Sequence, residues 1–273
     1  MICLRRLFRS LPAASITLVS AFWMETAHAQ QAPGAGANSL TPPPSEVRPA
    51  SSEKPDLPLI RRSVALEGWT LRVDERLYGG DHEELRLRTL RFLENKLADI
   101  RAVVPAEHVE KLQSVPIVLD LNHGKLGPMQ YHPSAGWLEA NGYARDLAKC
   151  VHLPRAADVV TPRNIREQPW VILHELAHAY HDQVLGFDEE RIRSAFEKYK
   201  ASGRGEKLLL HSGKRVRHYG LSDHKEFFAE MTESYFGSND FYPFNRAELQ
   251  DGEPEIHALM MEIWSSPSRT AER

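Results

Sequence analysis

Between residues 60 and 110 the apolar positions change period, from every second residue to every third or fourth. Trp69, Leu71 and Val73 alternate with polar neighbours, which predicts a half-buried strand, and Gly79-Gly80 breaks it. Asp81 and Glu84 then stand as a capping-box pair ahead of a helix striped by Leu90, Leu93, Leu97 and Ile100. Pro105 ends that helix, and the apolar run 115–121 reads as the next strand. The stretch 123–162 is rich in Gly and Pro; short strands are expected around Trp137 and around 150–153. From there the pattern is helical, over about 168–184, 188–200, 225–236 and 254–264. Pro254 opens the last helix, whose stripe of Ile256, Leu259, Met260, Ile263 and Trp264 should pack on the helix at 168–184. Strands first and helices after place the chain in the α+β class, with a small mixed sheet packed on helices.

The ends of the chain carry a different message. Arg5, Arg6 and Arg9 precede an apolar run from Leu11 to Met24, too short and broken for a membrane span, and Ala27-His28-Ala29 follows. Residues 1–29 therefore read as a signal peptide cleaved after Ala29, and the mature chain is expected to be secreted or periplasmic. Residues 30–58, with Pro42-Pro43-Pro44, hold almost no large apolar residues and read as a disordered linker. The folded domain is expected over 59–267, with a flexible tail at 268–273. Of two cysteines, Cys3 leaves with the signal peptide, so Cys150 has no partner for an internal disulfide. A net charge of -3 gives no general attraction to nucleic acid or anionic lipid. No nucleic-acid partner and no membrane span in the mature chain are expected, and a monomer is.

His174-Glu175-Leu176-Ala177-His178 carries the chemistry. Residues four apart share a helix face, so both imidazoles can address one ion, while Glu175 can reach a water on it as general base. With 13 histidines in the chain the bare pattern is weak, but its surroundings are not. Trp170, Val171, Ile172, Leu173, Leu176, Ala177 and Ala179 make the helix apolar on most sides, and buried polar groups there need a purpose. A catalytic zinc takes three protein ligands. His181 lies ~10 Å along the axis from His174, too far for three imidazoles on one helix to converge. Cys150 has no supporting motif and reads as a small buried residue. The third candidate is the segment from Asp223 to Glu230, where Glu226 and Glu230 share a face four residues apart. One carboxylate could bind the ion and the other take a proton from a ligand histidine. Asp223 with Glu226 is equally a capping box that needs no metal.

The pair formed by His174-Glu175-Leu176-Ala177-His178-Ala179 and Tyr219…Glu226-Phe227-Phe228-Ala229-Glu230 resembles the catalytic domain of anthrax lethal factor and its relatives. These are zincin-like zinc metallopeptidases with two histidines and a glutamate as ligands. The resemblance covers roughly 171–236. It implies that His174, His178 and Glu226 hold zinc, that Glu175 activates water, and that Glu230 supports a ligand from behind. It also implies that Tyr219 donates its hydroxyl to the substrate oxyanion, and that peptide or protein is the substrate. A non-catalytic zinc-containing binding module of the cell envelope, built on the same fold, is the rival reading. Lys198, Lys200, Arg204, Lys207, Lys214, Arg215 and Arg217 form a basic stretch before Tyr219, ordinarily a solvated face.

Overall fold

The computed structural model describes residues 60–123 and 126–265. The expected signal peptide, linker and C-terminal tail lie outside the described residues.

Strand β1 (Arg61–Leu66) turns back at Glu67-Gly68, both at positive φ, into β2 (Trp69–Asp74). Helix α1 (Glu83–Val103) buries Leu93, Leu97 and Ile100, as its stripe predicts. Its cap differs from expectation: His82 precedes the first turn and no side chain caps it, so Asp81 and Glu84 form no capping box. Pro105 ends α1 but immediately opens α2 (Ala106–Gln113), as its fixed φ and missing N–H allow at a helix start. Then come β3 (Ile117–Leu119), β4 (Gln130–Tyr131), α3 (Ala135–Ala140), β5 (Val151–Leu153) and α4 (Ala156–Val159). The strand expected around Trp137 is wrong. Ser134 caps a helix there by accepting from the Trp137 N–H, and the strand is the two residues Gln130 and Tyr131.

The second half holds α5 (Val171–Tyr180), α6 (Glu190–Ser202), the small ribbon β6 (Leu208–Leu209) and β7 (Arg215–Val216), α7 (His224–Phe236), α8 (Arg246–Gly252) and α9 (Pro254–Trp264). Past Tyr180 the chain winds through one wider turn, His181–Leu185, and Gly186 at φ 84° stops it. Helix α8 follows Asn245, whose side chain accepts from the backbone N–H groups of Ala247 and Glu248.

The main sheet runs β1-β2-β3-β5-β4. Its centre is parallel and its two outer pairs are antiparallel, so the architecture is helices with a small mixed sheet. Alternation sorts its residues. Leu71, Val73, Ile117, Leu119, Val151 and Leu153 enter the main core with α1 and α5. Val118 faces the other way, into a smaller cluster with Leu126, Leu138, Leu147 and Cys150. Helix α9 lies on α7 more than on α5, which its stripe was expected to meet. Trp264 still reaches both, stacking on Phe228 and lying 4.5 Å from the Tyr180 ring. Among the described residues no helix is long and apolar enough to cross a membrane.

Candidate metal centre

Helix α5 is buried on almost every side: Ile172, Leu173, Leu176, Ala177 and Ala179 are at most 1% exposed. Burying such a helix removes apolar area worth roughly 25 cal/mol per Å² from water, and that gain carries His174 and Glu175 inside with it. Across from it lies α7, whose Phe227, Phe228, Ala229 and Met231 are fully buried. The packing of these two helices sets the site.

Three ligand-type atoms converge between them. His174 Nε2 and His178 Nε2 are 3.2 Å apart. Glu226 Oε2 lies 3.1 Å from the first and 3.4 Å from the second. Two atoms each ~2.05 Å from a tetrahedral centre lie about 3.3 Å apart, so these separations match a small divalent ion within 0.2 Å. The cluster is one of three His/Asp/Glu groups among the described residues that could hold a metal ion. A second, His174 with Glu230 and Glu233, shares its histidine with the first. There Glu233 Oε1 sits 2.7 Å from Nδ1, well short of the ~3.3 Å of two tetrahedral ligands, and bonds the nitrogen opposite the one that faces Glu226.

The capping box expected of Asp223 and Glu226 forms only by half. Asp223 caps α7 by accepting from the N–H groups of Lys225 and Glu226. The Glu226 side chain turns to the histidines.

Behind His174 the arrangement differs from the expected one. The carboxylate hydrogen-bonded to Nδ1 belongs to Glu233, whereas the nearest Glu230 oxygen is 3.7 Å away. Glu233 went unnoticed in the sequence, although its spacing could have marked it. Residues i, i+4 and i+7 return to one helix face, and Glu226, Glu230 and Glu233 have that spacing.

The electrostatics follow from burial and pairing. Burial opposes charge on His174, yet the hydrogen bonds to Glu226 and Glu233 overcome it and hold its pKa well above the ordinary value. Burial would raise Glu226, but bonds from His174 and His178 hold it far below the usual carboxylate range. Glu230 and Glu233 are pushed up by burial; the charge of Glu233 adds to the rise at Glu230, while His174 moderates it at Glu233. Burial also raises Glu175, against the pull of His174 and His178. One oxygen of Glu175 accepts the Tyr131 N–H of β4 at 2.7 Å. That group would otherwise be a free donor at the edge of the sheet.

Tyr219 opens a single tight turn, Tyr219–Leu221, just before α7. The turn is pinned from below: His218 is fully buried and its Nδ1 accepts the Gly220 N–H at 2.9 Å. A Cβ at Gly220 would stand 3.0 Å from that ring and 3.2 Å from the Phe227 Cα, so a larger residue would have to push the imidazole aside. The Tyr219 side chain is left half-exposed, and its pKa is raised by burial and by the negative charge of Glu226.

The discarded ligand candidates stay out of the cluster. His181 is fully buried against Phe187, Phe228 and His224. Cys150 is a buried thiol beside Arg72 Nη2, 2.8 Å away, in the smaller core. Part of the basic stretch is neutralised locally: Arg204 pairs with Glu253 at 2.7 Å and Arg217 with Glu206 at 3.4 Å. Compared with known proteins, the chain matches no family model, no curated protein and no solved structure.

Proposed function

We propose that the chain is an exported zinc metallopeptidase of zincin type, with His174, His178 and Glu226 as metal ligands. The observation that carries this reading is the convergence of three ligand atoms at 3.1–3.4 Å on two facing buried helices. Two imidazoles and one carboxylate are a zinc donor set, and three protein ligands are the number a catalytic zinc takes. The likeness of 171–236 to the lethal-factor catalytic domain adds the expected activity, peptide hydrolysis.

When bound, a zinc ion supplies Lewis acidity, which lowers the pKa of an attacking water toward ~7 and polarises a carbonyl. The chain's own residues do the rest. Glu175 takes the water's proton, and its raised pKa makes it a better base than an exposed carboxylate. The Tyr131 N–H fixes one of its oxygens and leaves the other for that work. Tyr219 stays protonated at neutral pH and donates to the oxyanion, an interaction worth roughly 3 kcal/mol in the transition state. Glu233 accepts the Nδ1 proton of His174, which fixes the tautomer and leaves the Nε2 lone pair for the metal.

The test is removal of the least secure ligand. Glu226→Ala should bind zinc far more weakly than the unaltered chain when both compete with a chelator. Equal zinc occupancy in the two would overturn the assignment.

A further inference from the structure

A second polar cluster lies on the opposite face of the sheet from α5. In register across the strands, Arg72, Val118 and His152 form one row on that face. Just past β3, Asp120 is fully buried; Arg61 donates Nε to its Oδ1 at 2.8 Å and Nη2 to its Oδ2 at 2.9 Å. His152 Nε2 lies 2.9 Å from the same Oδ2, and His152 Nδ1 lies 3.2 Å from His132 Nε2. The His123 ring meets the His152 ring edge-on, with centroids 4.7 Å apart.

Among the described residues His123 and His181 are both fully buried with neither ring nitrogen hydrogen-bonded, but only His123 falls within a group of three ligand-type side chains. Native interiors seldom leave such a group orphaned, and an unseen ion is one of the few explanations. A ligand-type atom from each of Asp120, His123 and His152 falls within 4.8 Å of the others.

We propose that Asp120, His123 and His152 form a second metal centre, for a divalent transition-metal ion of the zinc class. Two imidazoles and a carboxylate are the donor set such ions take. The ligands are held from outside as in the first centre. Arg61 fixes the Asp120 carboxylate, using two of its roughly four acceptor positions. His132 bonds the far nitrogen of His152 and so aims Nε2 inward. His152 Nε2 and Asp120 Oδ2, 2.9 Å apart, would have to separate by about 0.4 Å to share a tetrahedral ion. All three side chains are fully buried, which gives a substrate no approach and leaves tying the strands together as the ion's role. It ties the exit of β3 to β5 beside β4, the strand whose Tyr131 N–H holds Glu175. Because Arg61 already balances Asp120, its affinity should be lower than that of the first centre.

The test uses the full chain with His174→Ala and His178→Ala together, so it does not depend on what the first centre does. After stripping with a chelator, this protein is titrated with Co²⁺ and then Zn²⁺, and bound metal is counted by mass spectrometry. One equivalent should bind, and adding His123→Asn should weaken it at least tenfold. No equivalent bound, or an affinity unchanged by His123→Asn, overturns the proposal and leaves a buried Arg-Asp-His network. Should the triple variant fail to fold, X-ray absorption of the metal-loaded double variant decides. Scattering from two imidazoles supports the centre, and none overturns it.

Discussion

Glu233 offers the sharpest test of how the site is supported. It is 4% exposed and its Oε1 lies 2.7 Å from His174 Nδ1, whereas Glu230 stands off at 3.7 Å, beyond hydrogen-bond range. Losing the carboxylate behind a ligand imidazole typically costs about 10–100-fold in metal affinity, or roughly 1.4–2.8 kcal/mol. A short, buried, charge-assisted bond belongs in the upper half of that range. Glu233→Gln should therefore weaken zinc binding by about 30–100-fold. Glu230 behaves differently, because burial and the neighbouring Glu233 charge raise its pKa well above the ordinary carboxylate value. With no hydrogen bond from Glu230 to the His174 ring, Glu230→Gln should change affinity by less than about threefold. Both constants come from competition with a chromophoric chelator at pH 7.5, with far-UV dichroism to confirm folding. The reverse order, a large loss for Glu230→Gln and a small one for Glu233→Gln, would refute this reasoning and restore Glu230 as the supporting carboxylate.

Three further outcomes follow from the geometry. Glu175→Gln should abolish peptide cleavage while metal analysis still finds zinc, since Glu175 is outside the ligand cluster; loss of both together would contradict the assigned role. Tyr219→Phe should lower kcat by ~10²–10³ with KM and zinc content little changed; a kcat within a few-fold of the unaltered chain would remove Tyr219 from the site. Burial pushes His181 down to about 3, so its neutral form supports folding fully above its unfolded pKa of about 6.5, and that support is lost as pH falls toward 3. Between pH 7.5 and 5.5 the unaltered chain should lose about 1.4 kcal/mol relative to His181→Phe in urea unfolding; a pH-independent difference between the two would refute it.

The legible parts of this chain were those where one local rule decided the outcome. The stripe of α1, the span of α9 and the strand at Trp69 follow directly from the spacing of apolar residues. His174 and His178 were legible for the same reason, since helical spacing places the two histidines together; Glu226 was singled out from Glu230 only by the family resemblance. Other features depended on contacts distant in sequence. Strand β4 is only two residues long and exists through its pairing with β5, so no periodicity announces it. Trp137 resembles a strand residue until the Ser134 cap is recognised. The choice between Glu230 and Glu233 depends on how α7 sits against α5. The close approach under Tyr219 is set by His218, a residue with no motif of its own. His123, Asp120 and His152 are separated in sequence and meet only once the sheet forms.

Whether the proposed zinc centre cuts peptide bonds is tested most directly by product analysis from a mixed peptide library. The zinc-loaded chain should generate new peptide termini, detected by mass spectrometry, that disappear on chelation and in Glu175→Gln. A chain carrying zinc at His174, His178 and Glu226 that left the library intact would contradict the account and favour a binding module built on the same fold.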